Sequence, residues 1–391
     1  MYRNFLLFLI TFQFALGFLI LSCVQADHPK EPNPIVMGAI YNLSGSQADL
    51  DVPSSRGALM AIEDANREGG VLGRPLRLVL ENGESKPAVV EKKTADMLNR
   101  FPTMSVMIGL SDTDMVLAAA PVAAANQRLF LTSGATSPRL PAQIPKYLFL
   151  SCFGDNVQAA AAAEWAYQDL GARTVSILFN NDKSYTRLLQ GYFQTSFKQL
   201  GGKVVSVKGY KPDDLIQAIQ SLRKADFIFL SAADPSEALK LARLLRKAGF
   251  STPILGGDGF DSEDVWQKHP DINDVFFTTH VYLGPENDDP KVVAFRKAYS
   301  ETYQGNIPDA FAALGYDTVR LLMMAISEAG SPDPAKVLDA LAGIREFEGV
   351  TGTMGYTPDN RIPRKSVTIL QIEGGKRKLV RQLLPERVPP P

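Results

Sequence analysis

Short runs of β-branched and aromatic residues alternate with helix-patterned stretches along almost the whole chain, and this alternation most restricts the fold. Parallel strands need a crossover of a dozen or more residues, and the helical stretches supply it, so repeated βαβ units around parallel sheets are expected. One series runs through strands Ile35–Ile40, Leu76–Leu80, Val106–Gly109 and Leu129–Thr132. Its helices begin at Gly57, at Ala88 and in the Ala-rich stretch Val116–Ala125. A second series starts after Pro145 with Tyr147–Leu150 and helix Val157–Leu170. It continues through strands Val175–Phe179, Val204–Val207, Phe227–Leu230, Pro253–Leu255 and Val275–Thr279. Helical patterns Val292–Tyr303 and Ala310–Ala329 follow, then extended stretches at Gly352–Tyr356 and Ser366–Ile372. No low-complexity linker separates the two series, so two doubly wound, Rossmann-like α/β lobes sharing a central cleft are expected.

Composition narrows the function. Among 391 residues, 41 Lys and Arg balance 42 Asp and Glu, which argues against a partner whose many phosphates must be neutralised; no nucleic-acid role is expected. Two Cys and three His give neither a disulfide framework nor a Cys/His zinc cluster. The P-loop and the nucleophile elbow are absent, and Gly256-Gly257-Asp258-Gly259 lacks the third glycine of a dinucleotide fingerprint. A binding protein without a cofactor, rather than an enzyme, is the expectation.

The amino end has Arg3, an apolar run Phe5–Leu21 and a small-residue exit, the parts of a signal peptide over residues 1–26. Two exits compete. Cleavage after Ala26 would release a soluble protein, whereas Ile20-Leu21-Ser22-Cys23 resembles a lipobox in which Cys23 is lipidated. Residues 27–33 form a polar linker, and the body is expected outside the cytoplasm. Cys152 is expected to be a buried apolar residue rather than a nucleophile.

Open parallel sheets bind ligands beyond the carboxyl ends of their strands, so the segments just after strands carry the functional reading. Four of them, in order, carry one pattern. GALMAIEDANREGG at 57–70 with Gly73 resembles the first-helix signature G-x-x-x-A-x-x-x-x-N-x-x-G-G-x-x-G of periplasmic binding proteins for branched-chain amino acids. Ile108–Thr113, Leu131–Pro138 and the strand ends Phe179–Tyr185 and Leu255–Phe260 continue the resemblance from about Pro34 to about Val380. It implies a type I periplasmic binding protein fold with a hinge: lobe 1 from 34–152 and 280–348, lobe 2 from 153–279 and 349–382, then a disordered tail at 383–391. It also implies a monomeric solute-binding subunit that delivers an amino acid or small amide to the membrane permease of an ABC importer. The alternative is a ligand-sensing accessory protein of the same fold that signals to a membrane partner.

The resemblance carries roles onto individual residues. Thr113 and Thr136 would bind a ligand carboxylate, and Thr136 and the Gly134 carbonyl would accept from its ammonium. Asp258 would pair with the ammonium, and Tyr185 would close over the ligand. Each has a plainer reading: Thr113 or Ser111 as a helix cap, Gly134 as a turn glycine, Asp258 as a turn aspartate and Tyr185 as core. The chain departs from the family pattern at Thr186, where glycine is usual, at Ala233, where an aromatic is common, and at Asp112, in a disulfide position. Tyr41 and Tyr282 are further candidates for the lining, or else core.

Overall fold

The computed structural model describes residues 33–391; the expected signal peptide 1–26 with Cys23, and linker residues 27–32, lie outside the described residues. The first sheet is parallel, in the order β2-β1-β3-β4-β5. Its strands are β1 Ile35–Tyr41, β2 Leu76–Asn82, β3 Val106–Gly109, β4 Leu129–Thr132 and β5 Leu148–Leu150. The helices between them are α1 Ala48–Arg67, α2 Pro87–Arg100, α3 Thr113–Ala125 and the short α4 Leu140–Gln143.

The chain then crosses to a second body. It contains α5 Asp155–Gln168, β6 Thr174–Asn180, α6 Ser184–Gln199, β7 Lys203–Tyr210, α7 Leu215–Gln220, β8 Phe227–Ser231, α8 Pro235–Lys247, β9 Ile254–Gly256, α9 Glu263–Gln267 and β10 Val275–Thr279. It returns to the first lobe for α10 Pro290–Thr302, α11 Ala310–Ala329, α12 Pro334–Gly343 and the hairpin β11 Phe347–Gly349 and β12 Gly352–Met354. A last crossing adds β13 Val367–Glu373 and β14 Lys376–Leu383 to the second sheet, whose order is β14-β13-β10-β9-β8-β6-β7. Strands β6 to β10 are mutually parallel; β13 and β14 are antiparallel.

The sequence explains these positions. Strands β3, β4, β8 and β10 are buried along their whole length, as strands covered by helices on both faces must be. The strands β2 and β7 border the sheets, and they carry exposed Arg77 and Lys203, charges that discourage further strand pairing. Helices α1 and α11 pack backbone to backbone. A Cβ on Gly57 would meet the Ala312 carbonyl oxygen at 1.8 Å, and one on Gly315 would meet that of Ser54 at 1.8 Å. Behind them Val319, Leu322 and Ile326 of α11 share a core with Ala58, Ile62 and Ile108.

Three expectations change. The third crossing falls after Ile362 rather than at 348/349, because Met354 and Tyr356 belong to the core of the first lobe and Ile362 packs against it. Asp317 of α11 fixes this segment by accepting the Val350 and Thr351 N–H groups at 2.8 and 2.7 Å, and Tyr356 donates to the Leu150 carbonyl at 2.8 Å. Strand β14 has no counterpart in the expected elements. Gly374 and Gly375, at φ 57° and 75°, provide the left-handed turn that reverses the chain into it. The tail expected to be disordered beyond residue 383 is docked along α5: Glu386 N–H donates to Glu164 at 2.9 Å and Asn156 Nδ2 to the Pro389 carbonyl at 2.8 Å, with Pro385 and Pro389 buried.

Candidate functional site

The carboxyl ends of both sheets face each other across the crossings, and the loops following β3, β4, β6, β8 and β9 meet there. They converge on a small cavity of about 10 Å³, room for about one water, lined by Leu50, Ser111, Thr136, Tyr185, Ala233 and Asp258, with Phe311 at the start of α11. Thr136, Tyr185 and Asp258 are therefore brought together from both lobes.

Asp258 opens a short 3-10 turn directly after β9 and is 2% exposed. Its carboxylate accepts from Tyr185 Oη and Gln158 Nε2 at 2.8 Å each, and pairs with His280 Nε2 at 3.1 Å. It is more than a turn aspartate. Its backbone N–H donates to Gln158 Oε1 at 3.1 Å, and Thr278 donates to the same oxygen at 2.7 Å, which fixes the amide. Burial holds the His280 imidazole below its usual pKa, partly offset by Asp258, so the ring is neutral at pH 7 and donates Nε2–H. Phe153 stacks on it at 3.8 Å.

A second buried carboxylate stands beside the first. Asp155 begins α5 just past the first crossing; its Oδ1 accepts from Thr136 Oγ1 at 2.6 Å across the lobes and from Gln158 Nε2 at 3.0 Å. Its Oδ2 is buried without a partner. Burial, and then the neighbouring Asp258, push its pKa up to about 8. Gln158 thus bridges two acids, and none of their hydrogen-bonding partners is a cation.

Thr136 also accepts the Asp155 N–H on its carbonyl at 2.7 Å, so this one residue ties the loop after β4 to the start of α5. Gly134 lies behind the cavity, where a Cβ would meet Ser111 Oγ at 2.8 Å and Phe311 at 2.9 Å. Its small size is what the packing demands. For Thr113 the structure rejects the capping reading, because Asp112 caps α3 by accepting the Met115 N–H at 3.1 Å. Thr113 is the first helical residue, 3% exposed, with a hydroxyl that has no partner. It lines the adjoining outer groove between α3 and α6, not the inner cavity. Ser111 takes the cavity position instead.

Tyr185 is tied to Asp258 and also accepts the Gly259 N–H at 3.3 Å, so in this arrangement it orients the acid. Thr186, in place of the usual glycine, donates to the Asn180 and Lys183 carbonyls and closes the loop before α6. Ala233 lines the cavity. Tyr41 and Tyr282 do not: the first is fully buried near Ser54 and Ser133, and the second donates to Glu286. Cys152 is buried, with its thiol against the Ala135 carbonyl at 3.4 Å.

Asp155, Gln158 and His280 are the site residues that sequence reasoning missed. His280 immediately follows β10, whereas Asp155 opens α5 five positions after the end of β5 and shares a helix face with Gln158 at i, i+3. Applying the rule of strand ends to every strand would have found His280.

The comparisons agree with the two-lobed α/β fold. Residues 34–377 match the family model described as periplasmic binding protein. A Leu/Ile/Val-binding protein, BraC3, of Rhizobium johnstonii is 28% identical over 354 residues, covering 88% of this chain and 92% of the relative. The isoleucine complex of the Streptococcus pneumoniae substrate-binding protein LivJ superposes with a TM-score of 0.82 at 25% identity, covering 90% of this chain and 100% of that one. The leucine-binding protein LivK of Thermotoga maritima gives 0.81 at 27% identity, with 90% and 99% covered. A two-lobed α/β chain with polar strand ends converging between the lobes, matched over nearly its whole length, belongs to the periplasmic binding protein family.

Proposed function

We propose that this protein is the extracytoplasmic solute-binding subunit of an ABC importer and that it holds an α-amino acid between its lobes. Family membership makes it a binding protein rather than an enzyme. The observation that carries the amino acid reading is the buried pair Asp155 and Asp258, whose hydrogen-bonding partners include no cation. Burying a carboxylate without a cation is costly, and a ligand ammonium relieves that cost at the cavity wall, where Asp258 is reached and Asp155 lies behind Thr136 and Gln158. The relatives are named for leucine, isoleucine and valine; branched-chain selectivity is not assumed for this chain, in which Ala233 and Leu50 line the cavity.

In this reading the ammonium sits against Asp258 and Thr136, with Asp155 behind them, and the α-carboxylate faces Ser111. Tyr185 and Gln158 hold the acids in place. Contacts made to both lobes favour the closed form, which is the one a permease reads. The leader supports export. The mass of the mature amino terminus separates cleavage before Asp27 from lipidation of Cys23.

Calorimetric titration with a panel of amino acids tests the reading. One or more should bind, and Asp258→Ala should weaken binding by about 2 to 5 kcal/mol, as when a buried charge loses its partner. Unchanged affinity in a folded Asp258→Ala protein would remove Asp258 from the site.

A further inference from the structure

Outside the inner cavity a groove of about 360 Å³ lies between α3 and α6. Chain neighbours line the two spaces at three points: Asp112, Thr136 and Tyr185 face the cavity, and Thr113, Ser137 and Ser184 line the groove. The groove receives one arginine from each lobe, Arg139 before α4 and Arg187 in the first turn of α6. Arg187 is oriented, donating from Nη1 to the Asn181 carbonyl at 2.6 Å and from Nη2 to Ser184 Oγ at 2.9 Å. Thr113 adds a buried hydroxyl without a partner at the start of a 13-residue helix, and Ser137 is a further buried hydroxyl residue in the lining.

The nearby acids are already engaged. Asp112 caps α3, and Asp114 Oδ2 accepts the Ser184 N–H at 3.2 Å. Two guanidinium groups, hydroxyl residues and a helix start on one groove form a carboxylate-binding set, with one arginine supplied by each lobe. We propose that this groove is an anion subsite adjoining the inner cavity, and that the preferred ligands are amino acids bearing a second carboxylate. The inference rests on the ammonium reading of the inner site and adds a charge requirement to it.

Calorimetry at fixed ionic strength with L-glutamate and L-leucine, on the full mature protein and on R139Q, R187Q and the double variant, decides it. Both arginines are exposed, so folding should be unaffected, and a thermal melt checks this. Glutamate should bind about tenfold or more tighter than leucine, and the double variant should lose about tenfold or more for glutamate while leucine changes less than about threefold. Equal losses for both ligands would mean that the arginines read the shared α-carboxylate, and no loss for either would mean that they read nothing; each overturns the second-carboxylate subsite. Leucine binding without a glutamate advantage sinks this inference and spares the inner site. Failure of every amino acid to bind sinks both.

Discussion

Asp155 stands far from its ordinary state, because burial and Asp258 raise its pKa to about 8. Below that pH it is protonated in the ligand-free protein. An arriving ammonium favours the ionised form, so binding must expel a proton. Affinity for an amino acid should therefore rise with pH between about 6 and 8, by up to about tenfold per unit, and titrations in buffers of differing ionisation enthalpy should show proton release approaching one at pH 6. Asp155→Asn should abolish both effects. A flat pH profile in the parent protein would mean that the ligand does not engage this acid. Asp258, Thr136 and Tyr185 were legible beforehand because each lies just past a strand or its loop. Asp155 was not, since the Ala-rich run Ala159–Ala163 moves the apparent helix start to Val157. His280 belongs to no sequence motif; its role arises only because Asp258, 22 positions away, comes back beside it.

At the scale of elements, each lobe closes on the other through helix starts. Asp49 in the first turn of α1 accepts from Ser236 of α8 at 2.6 Å, and Asp114 in the first turn of α3 accepts from the Ser184 N–H of α6 at 3.2 Å. Both pair a carboxylate of lobe 1 with the positive end of a lobe 2 helix, and both need the closed arrangement. Replacing Asp49 and Asp114 together by Ala should cost about 0.3 to 1 kcal/mol of closure per contact, seen as several-fold weaker binding with faster release. Unaltered affinity and release would show that closure does not depend on them. The packing of α1 on α11 makes a separate demand: Gly57→Ala should lower stability by about 1 to 3 kcal/mol, measured by denaturant titration, because its Cβ would meet the Ala312 carbonyl oxygen at 1.8 Å. No loss would mean that the helices separate freely. The glycine was visible in the 57–70 signature, but its reason was not, since Ala312 approaches from the far end of the chain. The strand β14 was overlooked for a related cause: its pairing partner is local, across Gly374-Gly375, but charged residues at Lys376, Arg377, Lys378 and Arg381 hide the strand pattern of an edge.

For the whole molecule, the alternation of strand and helix patterns conveyed two parallel α/β sheets, and the buried central strands show why such runs are apolar throughout. What alternation cannot convey is where a chain passes from one sheet to the other. The third crossing depends on Asp317 and on Tyr356 contacting Leu150, both distant in sequence. The central claim concerns the space those crossings create: a ligand ammonium is held between the lobes by Asp258 and Asp155. Its most direct test is calorimetry comparing the best-binding amino acid with its 2-hydroxy acid, which keeps the carboxylate and side chain and lacks the ammonium. The hydroxy acid should bind weaker by about 2 to 5 kcal/mol, the usual loss when one partner of a buried charge pair is removed. Equal affinity for the two compounds would contradict the claim.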